Sequence, residues 1–190
     1  MTETGRRVGA VQYNRTETIS MMGSIEDYSS GKILGGISKA LAALDEFGTL
    51  TREDDRIDRV IENIKAFEPE CITQSEAATI IRDAHSIALG ERVCRALHPE
   101  SEPTQSVFLD ELADAMIRSG RAGRASAEDA ERALRQHSGH PLIISMVSGR
   151  HQEICASHRE TCVFWKAENR GVRCLKRRQT DGEQYLSQQR

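Results

Sequence analysis

The segment Pro141-Leu-Ile-Ile-Ser-Met-Val147 is the most apolar run in the chain. It is short and rich in branched side chains, which predicts a buried β-strand, although the start of a helix fits nearly as well. Its expected pairing partner lies near the N-terminus. There, the β-leaning runs 8–13 and 16–22 flank Asn14-Arg15, which indicates a β-hairpin.

Helical periodicity dominates the residues between these two regions. Apolar side chains recur every three or four positions in five segments, which are 33–47, 57–67, 77–97, 108–117 and 126–134. Thr51, Thr73 or Ser75, Thr104 and Ser126 are the expected helix starts, and Gly90 is a point where the third helix breaks or kinks. Residues 99–103, which begin and end with proline, are the best linker candidate. The predicted fold class is therefore α+β: mostly helical, with about five to six helices, an N-terminal β-hairpin and one further strand.

Five residues with a spacing of 4, 3, 4 and 3 follow the apolar run: His151, Cys155, His158, Cys162 and Trp165. This spacing puts all five side chains on one stripe of a predicted C-terminal α-helix. Asn169-Arg170-Gly171 is typical of a helix end, with Gly171 in the left-handed position.

Cysteine and histidine are the side chains that bind zinc and that hold iron–sulfur clusters. His151 and Cys162 would lie about 16 Å apart along a helix, so one ion cannot bind the whole stripe. A site would use a neighbouring pair, with Cys174 returning beside Cys162 after the turn. The predicted ligands of zinc or an iron–sulfur cluster are thus Cys155, His158, Cys162 and Cys174. Whether Cys71 and Cys94 approach this group is left open.

Two other interpretations fit the same stripe. The first is a structural or protein-interaction protein in which the cysteines are buried packing residues without metal, because cysteine behaves as a small hydrophobic side chain. The second is a thiol-based redox sensor or cysteine enzyme, which would need one thiol with a lowered pKa.

The charge of the chain is unevenly distributed. The net charge is −3, but residues 149–190 carry nine Lys and Arg against five Asp and Glu. This asymmetry suggests an α+β body over 1–148 and a C-terminal helix with a basic tail over 149–190, with one common domain left open. A protein partner, or alternatively nucleic acid, is expected to contact the basic cluster. That cluster consists of Lys166, Arg170, Arg173, Lys176, Arg177 and Arg178.

Several classes of protein are disfavoured by what the sequence lacks. No apolar run approaches the roughly 18 residues of a membrane span, and no apolar signal core follows the N-terminus. The five cysteines are an odd number, which favours free thiols or metal ligands in the reducing cytoplasm. No Cys-x-x-Cys pair, phosphate-binding glycine loop or nucleophile elbow occurs. The expected function is that of a cytoplasmic regulatory or accessory protein rather than an enzyme.

Overall fold

The structure is a computed structural model that describes residues 23–47 and 55–177. Its strands all belong to one sheet and are β1 (Glu70–Ile72), β2 (Ile87–Glu91), β3 (Gln105–Leu109), β4 (Ala122–Arg124), β5 (Leu142–Val147), β6 (Arg150–Ala156) and β7 (Lys176–Arg177). Its α-helices are α1 (Ile25–Ser30), α2 (Ile33–Glu46), α3 (Asp55–Ala66), α4 (Gln74–Asp83), α5 (Asp110–Arg118), α6 (Ala127–Gln136) and α7 (Val163–Asn169). A 3₁₀-helix covers Val93–Leu97.

The strand order of the sheet is β4-β2-β3-β6-β5-β1-β7. Every neighbouring pair is antiparallel except β1 and β7, which run parallel. β5 and β6 form a hairpin that turns at Ser148-Gly149, where φ is 49° and 80°. Positive φ at two successive residues matches the right-handed twist of a tight hairpin. This hairpin therefore anchors the sheet between β1 and β3.

One face of the sheet, called here the first face, carries an apolar cluster. Its cluster combines alternate strand residues with side chains of α4 and α6, and its fully buried members include Ile81, Val107, Ala130, Ile144 and Ile154. Both helices begin with a complete capping box, built by Thr73 with Glu76 and by Ser126 with Asp129. Capping satisfies backbone N–H groups that the first helical turn leaves free.

The opposite face, called here the second face, is covered by α1, α2, α3, α5 and α7. Because strand side chains alternate between faces, this face receives the residues next to those of the first face. Several of these strand residues are polar or bear sulfur, and they include Ser106, Ser145, Glu153 and Cys155. The two faces of the same strands therefore differ in chemistry.

The predicted fold class is wrong in its proportions. A mostly helical body with one strand beyond an N-terminal hairpin does not fit the described residues, which contain seven strands and seven α-helices. The hairpin predicted at 8–22 lies outside the described residues. The strand at 142–147 is confirmed, as are the helices near 33–46, 57–66 and 127–134.

Two predicted helices are partly strands. The predicted third helix ends at Asp83, and residues 87–91 form β2. Within the predicted fourth helix, residues 105–109 form β3, so the helix starts only at Asp110. Gly90 is not a helix break but a site of close approach, where a Cβ would lie 2.9 Å from the carbonyl oxygen of Arg121. Short apolar runs fit both periodicities, and strand pairing decides between them.

The predicted helix over 151–165 is also wrong. His151 and Cys155 lie on β6, His158 lies in the following loop, and only Cys162 and Trp165 belong to α7, with Cys162 as its N-cap. Gly171 has a φ of 83°, which confirms the left-handed helix end. The segment that begins at residue 149 thus supplies a central strand of the sheet. In the ranges that the structure describes, no helix has the length and apolar character needed to cross a membrane.

Candidate ligand-binding cavity

A cavity of about 250 Å³ lies between the second face and its covering helices. Strands β5 and β6 provide its floor, and the wall consists of apolar side chains from the helices, among them Ile37, Val60, Ile64, Phe67, Val163 and Phe164. Its mouth opens between α2 and α3, where Gly36, Lys39 and Asn63 are exposed. The cavity is therefore a cleft with an apolar wall and one side open to solvent.

The cavity lies between the sheet and helices α2, α3 and α7, which bury part of their apolar surface in one another. Their shared apolar cluster contains Leu44, Ile64, Ala167, Val172 and Cys174 as its buried members, and none of its residues comes from a strand. By contrast, the cluster under α4 and α6 is built directly on strand residues. Helices that bury their apolar stripes in one another leave space between themselves and the sheet.

Glu153 lies at the floor of the cavity and is 7% exposed. Three hydroxyls donate to its carboxylate: Tyr28 to Oε2 at 2.8 Å, Ser106 to Oε1 at 3.0 Å and Ser145 to Oε2 at 3.4 Å. Burial raises the pKa of Glu153, while these donors and the charge of Arg92 act in the opposite direction. Burial also raises the pKa of Tyr28, which keeps its hydroxyl a donor. The carboxylate is thus held in place by neutral groups.

Arg92 borders the same cavity and is 2% exposed. Its Nε–H donates to Thr104 Oγ1 at 2.9 Å, and its terminal nitrogens donate to Ser101 Oγ at 3.0 Å and to Thr161 Oγ1 and Cys94 Sγ, both at 3.2 Å. All four acceptors are uncharged. A buried guanidinium is ordinarily paired with an anion, so this environment is unusual.

Three thiols, those of Cys94, Cys155 and Cys162, border the cavity close to Arg92. Burial raises the pKa of Cys94 and of Cys155, and it raises the pKa of Cys162 to about 12. The pKa of Cys71 is raised by burial as well. These thiols are protonated at neutral pH, which is the behaviour of packing residues and not of activated nucleophiles.

The structure separates the four predicted metal ligands. Cys155 and Cys162 both border the cavity, whereas Cys174 packs in the cluster of α2, α3 and α7, with a pKa that burial raises to about 12. The His158 ring does not border the cavity: its centroid lies 5.7 Å from that of His140, and its Nδ1 lies 3.3 Å from Thr161 Oγ1. Over residues 23–47 and 55–177, no three or more His, Cys, Asp or Glu side chains are arranged to hold a metal ion. Zinc or an iron–sulfur cluster stays a prediction.

His158 belongs to a group of histidines at one end of the sheet. Glu102 Oε2 lies 2.9 Å from His140 Nε2, and Glu102 Oε1 lies 3.7 Å from His137 Nδ1. The pKa of Glu102 is lowered by its hydrogen bond to His140 and by both imidazoles. Glu102 thus pairs with His137 and His140, while His158 contacts the group only through the ring of His140, and none of these residues borders the cavity.

Half of the predicted basic surface is already paired with acids. Lys166 Nζ lies 2.6 Å from Asp45, Lys176 Nζ lies 2.5 Å from Glu68, and an Arg173 nitrogen lies 3.8 Å from Glu168. Arg170 and Arg177 are exposed, and Arg178 lies outside the described residues. Contact of this surface with a protein or with nucleic acid stays a prediction.

The sequence analysis missed the cavity and its charged residues, Arg92 and Glu153. The sequence contains only one local signal of this site, which is the charged residue Glu153 next to Ile154 and two positions before Cys155. Comparison with protein families, with curated proteins and with solved structures finds nothing that matches this chain.

Proposed function

We propose that this protein binds a small, predominantly apolar molecule in the cavity on the second face. The observation that carries the proposal is an apolar-walled space of about 250 Å³ with two buried charged side chains at its inner end. Ligand sites in proteins have this composition: an apolar lining and a few polar groups that fix orientation. The volume of about 250 Å³ is slightly below the usual range for ligand sites, which begins at about 300 Å³, and this limits the ligand to a small molecule.

The glycines of α2 support this proposal. Gly35 and Gly36 lie within the helix, where each costs about 1 kcal/mol relative to alanine. Neither is required for packing, since a Cβ at either position would meet no atom within 4 Å. Gly36 lies at the mouth of the cavity, so the missing side chain keeps the opening clear.

The same pair of glycines provides the test. The environment-sensitive dye N-phenyl-1-naphthylamine is titrated into the wild-type chain, Gly36→Phe and Gly35→Phe. Gly35→Phe is the matched control, because it makes the same change on the same helix but away from the cavity. We expect wild type and Gly35→Phe to bind the dye with equal affinity and Gly36→Phe to bind at least about tenfold more weakly, since the phenyl ring occupies the mouth. No dye binding, or equal binding to both variants, would contradict the proposal.

A second candidate function is a regulatory or accessory role with a metal bound at the cavity thiols. It is supported by the position of Cys155 and Cys162, two of the predicted ligands, beside Cys94 on one cavity. Elemental analysis of untagged protein purified without oxygen tests it. Stoichiometric zinc, or iron with sulfide, that is lost in Cys162→Ser but retained in Cys174→Ser would support a site at the cavity. Metal-free folded protein would remove this candidate.

A further inference from the structure

Around Glu153, the floor of the cavity presents oxygen atoms that accept hydrogen bonds. Tyr28 and Ser145 both use their hydroxyl hydrogens to donate to Glu153, and all three side chains border the cavity. Their remaining lone pairs, together with those of the carboxylate, are therefore what a ligand would meet. An ammonium group, with three donors and a positive charge, is the chemical complement of these three oxygen-bearing side chains.

Arg92, which borders the cavity but does not belong to its floor, presents a hydrogen-bond donor. Arg92 has five N–H groups and forms four hydrogen bonds, so one N–H group has no acceptor. A second N–H group donates to the sulfur of Cys94, which is a weak acceptor. A ligand carboxylate would accept a hydrogen bond from each of these two N–H groups and would take the place of the sulfur as acceptor. Charge-assisted bonds of this kind are about twice as strong as bonds between neutral groups.

Charge balance decides between ligand classes. In the described residues, neither Arg92 nor Glu153 forms a salt bridge, although both border the cavity and the positive charge of Arg92 acts to lower the pKa of Glu153. An amine alone would bring a second positive charge to Arg92, and a carboxylate alone would bring a second negative charge to Glu153. Both arrangements leave an uncompensated charge away from water, which is costly. A molecule with both groups neutralises each buried charge.

We propose that the ligand of this cavity is a small apolar zwitterion, an α-amino acid with a branched aliphatic or aromatic side chain. The ammonium group binds Glu153, Tyr28 and Ser145, the carboxylate binds Arg92, and the side chain contacts the apolar wall of the cavity. This inference rests on the proposed function and specifies its ligand.

Competition against bound N-phenyl-1-naphthylamine in the full chain at neutral pH tests the inference. The competitors are L-leucine, L-phenylalanine and two analogues of leucine that each keep one charge: 3-methylbutylamine and 4-methylpentanoate. We expect at least one of the two amino acids to bind, and leucine to bind at least about tenfold more tightly than either analogue, because each analogue loses one charge-assisted contact. An analogue that binds as tightly as leucine would overturn the inference, as would the failure of both amino acids to displace the dye.

The outcomes separate this inference from the proposed function. If Gly36→Phe weakens dye binding but neither amino acid displaces the dye, the inference that the ligand is a zwitterion is overturned. The proposal that the cavity is a ligand site then still stands. Tyr28→Phe provides a second readout, since it removes one acceptor and keeps the ring. We expect this variant to lose about tenfold more affinity for leucine than for the dye. Equal loss of dye and leucine binding would indicate a structural role for Tyr28 and would contradict its assignment.

Discussion

Ile154 and Glu153 are neighbours on β6, yet they lie on opposite faces of the sheet in different environments. Ile154 is fully buried against Val107 and Ile144, in a cluster that α4 and α6 cover directly. Glu153 borders the cavity, whose covering helices bury part of their apolar surface in one another. The cluster around Ile154 is entirely apolar, while the second face combines apolar clusters with polar groups and space. A single strand supplies both because its side chains alternate.

The helix starts reinforce this difference. Both helices on the first face begin with capping boxes, as does α1 on the second face, whereas α2, α5 and α7 begin without a side-chain cap. A cap contributes about 1 kcal/mol, so the helix starts on the first face are better stabilised than most of those on the second. Ligand sites built on such a support keep their geometry while the covering helices admit a ligand.

The largest effect that we expect concerns packing on the two faces. Ile144→Ala removes a side chain that is 1% exposed on the first face and should lower the free energy of unfolding by about 3 kcal/mol. Ile37→Ala makes the same change at a half-buried position that already borders the cavity, and should cost about 1 kcal/mol or less. Urea denaturation of both variants measures the difference. Equal losses would show that the two faces are packed alike.

The next effect concerns two half-buried thiols. Cys94 borders the cavity and Cys71 does not, although burial raises the pKa of both. At a concentration of N-phenyl-1-naphthylamine about ten times its Kd, we expect alkylation of Cys94 by N-ethylmaleimide to slow about tenfold, because only the unoccupied cavity exposes the thiol. Cys71 serves as the internal control, and its rate should not change. Peptide mass spectrometry reads both rates, and parallel slowing of the two thiols would argue against a bound dye in the cavity.

The smallest effect is a pH dependence that only the second face produces. Burial raises the pKa of Glu153 in the folded chain. At pH values between the ordinary pKa of a glutamate, about 4.3, and this raised pKa, the folded protein therefore binds more protons than the unfolded chain. The free energy of unfolding therefore decreases as pH rises through this window. Glu153→Gln has no such proton to lose, so its stability relative to wild type should increase with pH.

Denaturation of wild type and Glu153→Gln at several pH values between about 4 and 7.5 measures this difference, since the titrations of all other groups are common to both proteins. Ile154→Val, one residue away on the first face, is the control and should show a constant offset from wild type. A stability difference between Glu153→Gln and wild type that is constant or decreases with pH would contradict the assigned burial of the charge.

Local sequence signals account for part of this fold. The caps at Thr73 and Ser126 and the left-handed Gly171 are set by residues within one turn of the chain, and all three agree with the structure. The stripe from His151 to Trp165 has helical spacing, but residues 150–156 form a strand because β3 and β5 flank them on both sides. The pairing with β3 depends on residues 45 to 49 positions away and leaves no trace in a short window.

The candidate site was less accessible to sequence analysis than the fold. Cys155 and Cys162 do border one cavity, yet they do so because a strand end and a helix start meet there, and not because they share a helix. The role of Glu153 depends on hydroxyls at positions 28, 106 and 145, which only the tertiary structure brings together. A buried charge in a strand is a signal of a site, but it does not identify its partners.

Methyl NMR of the full chain during titration with N-phenyl-1-naphthylamine tests the central claim most directly. We expect saturable shifts of the methyl signals of Ile37, Val60 and Val163, which border the cavity, and unchanged signals of Val107, Ile144 and Ile154 on the first face. Shifts spread over both faces, or no shift at the cavity methyl groups at saturating dye, would contradict the assignment of the ligand site to the second face.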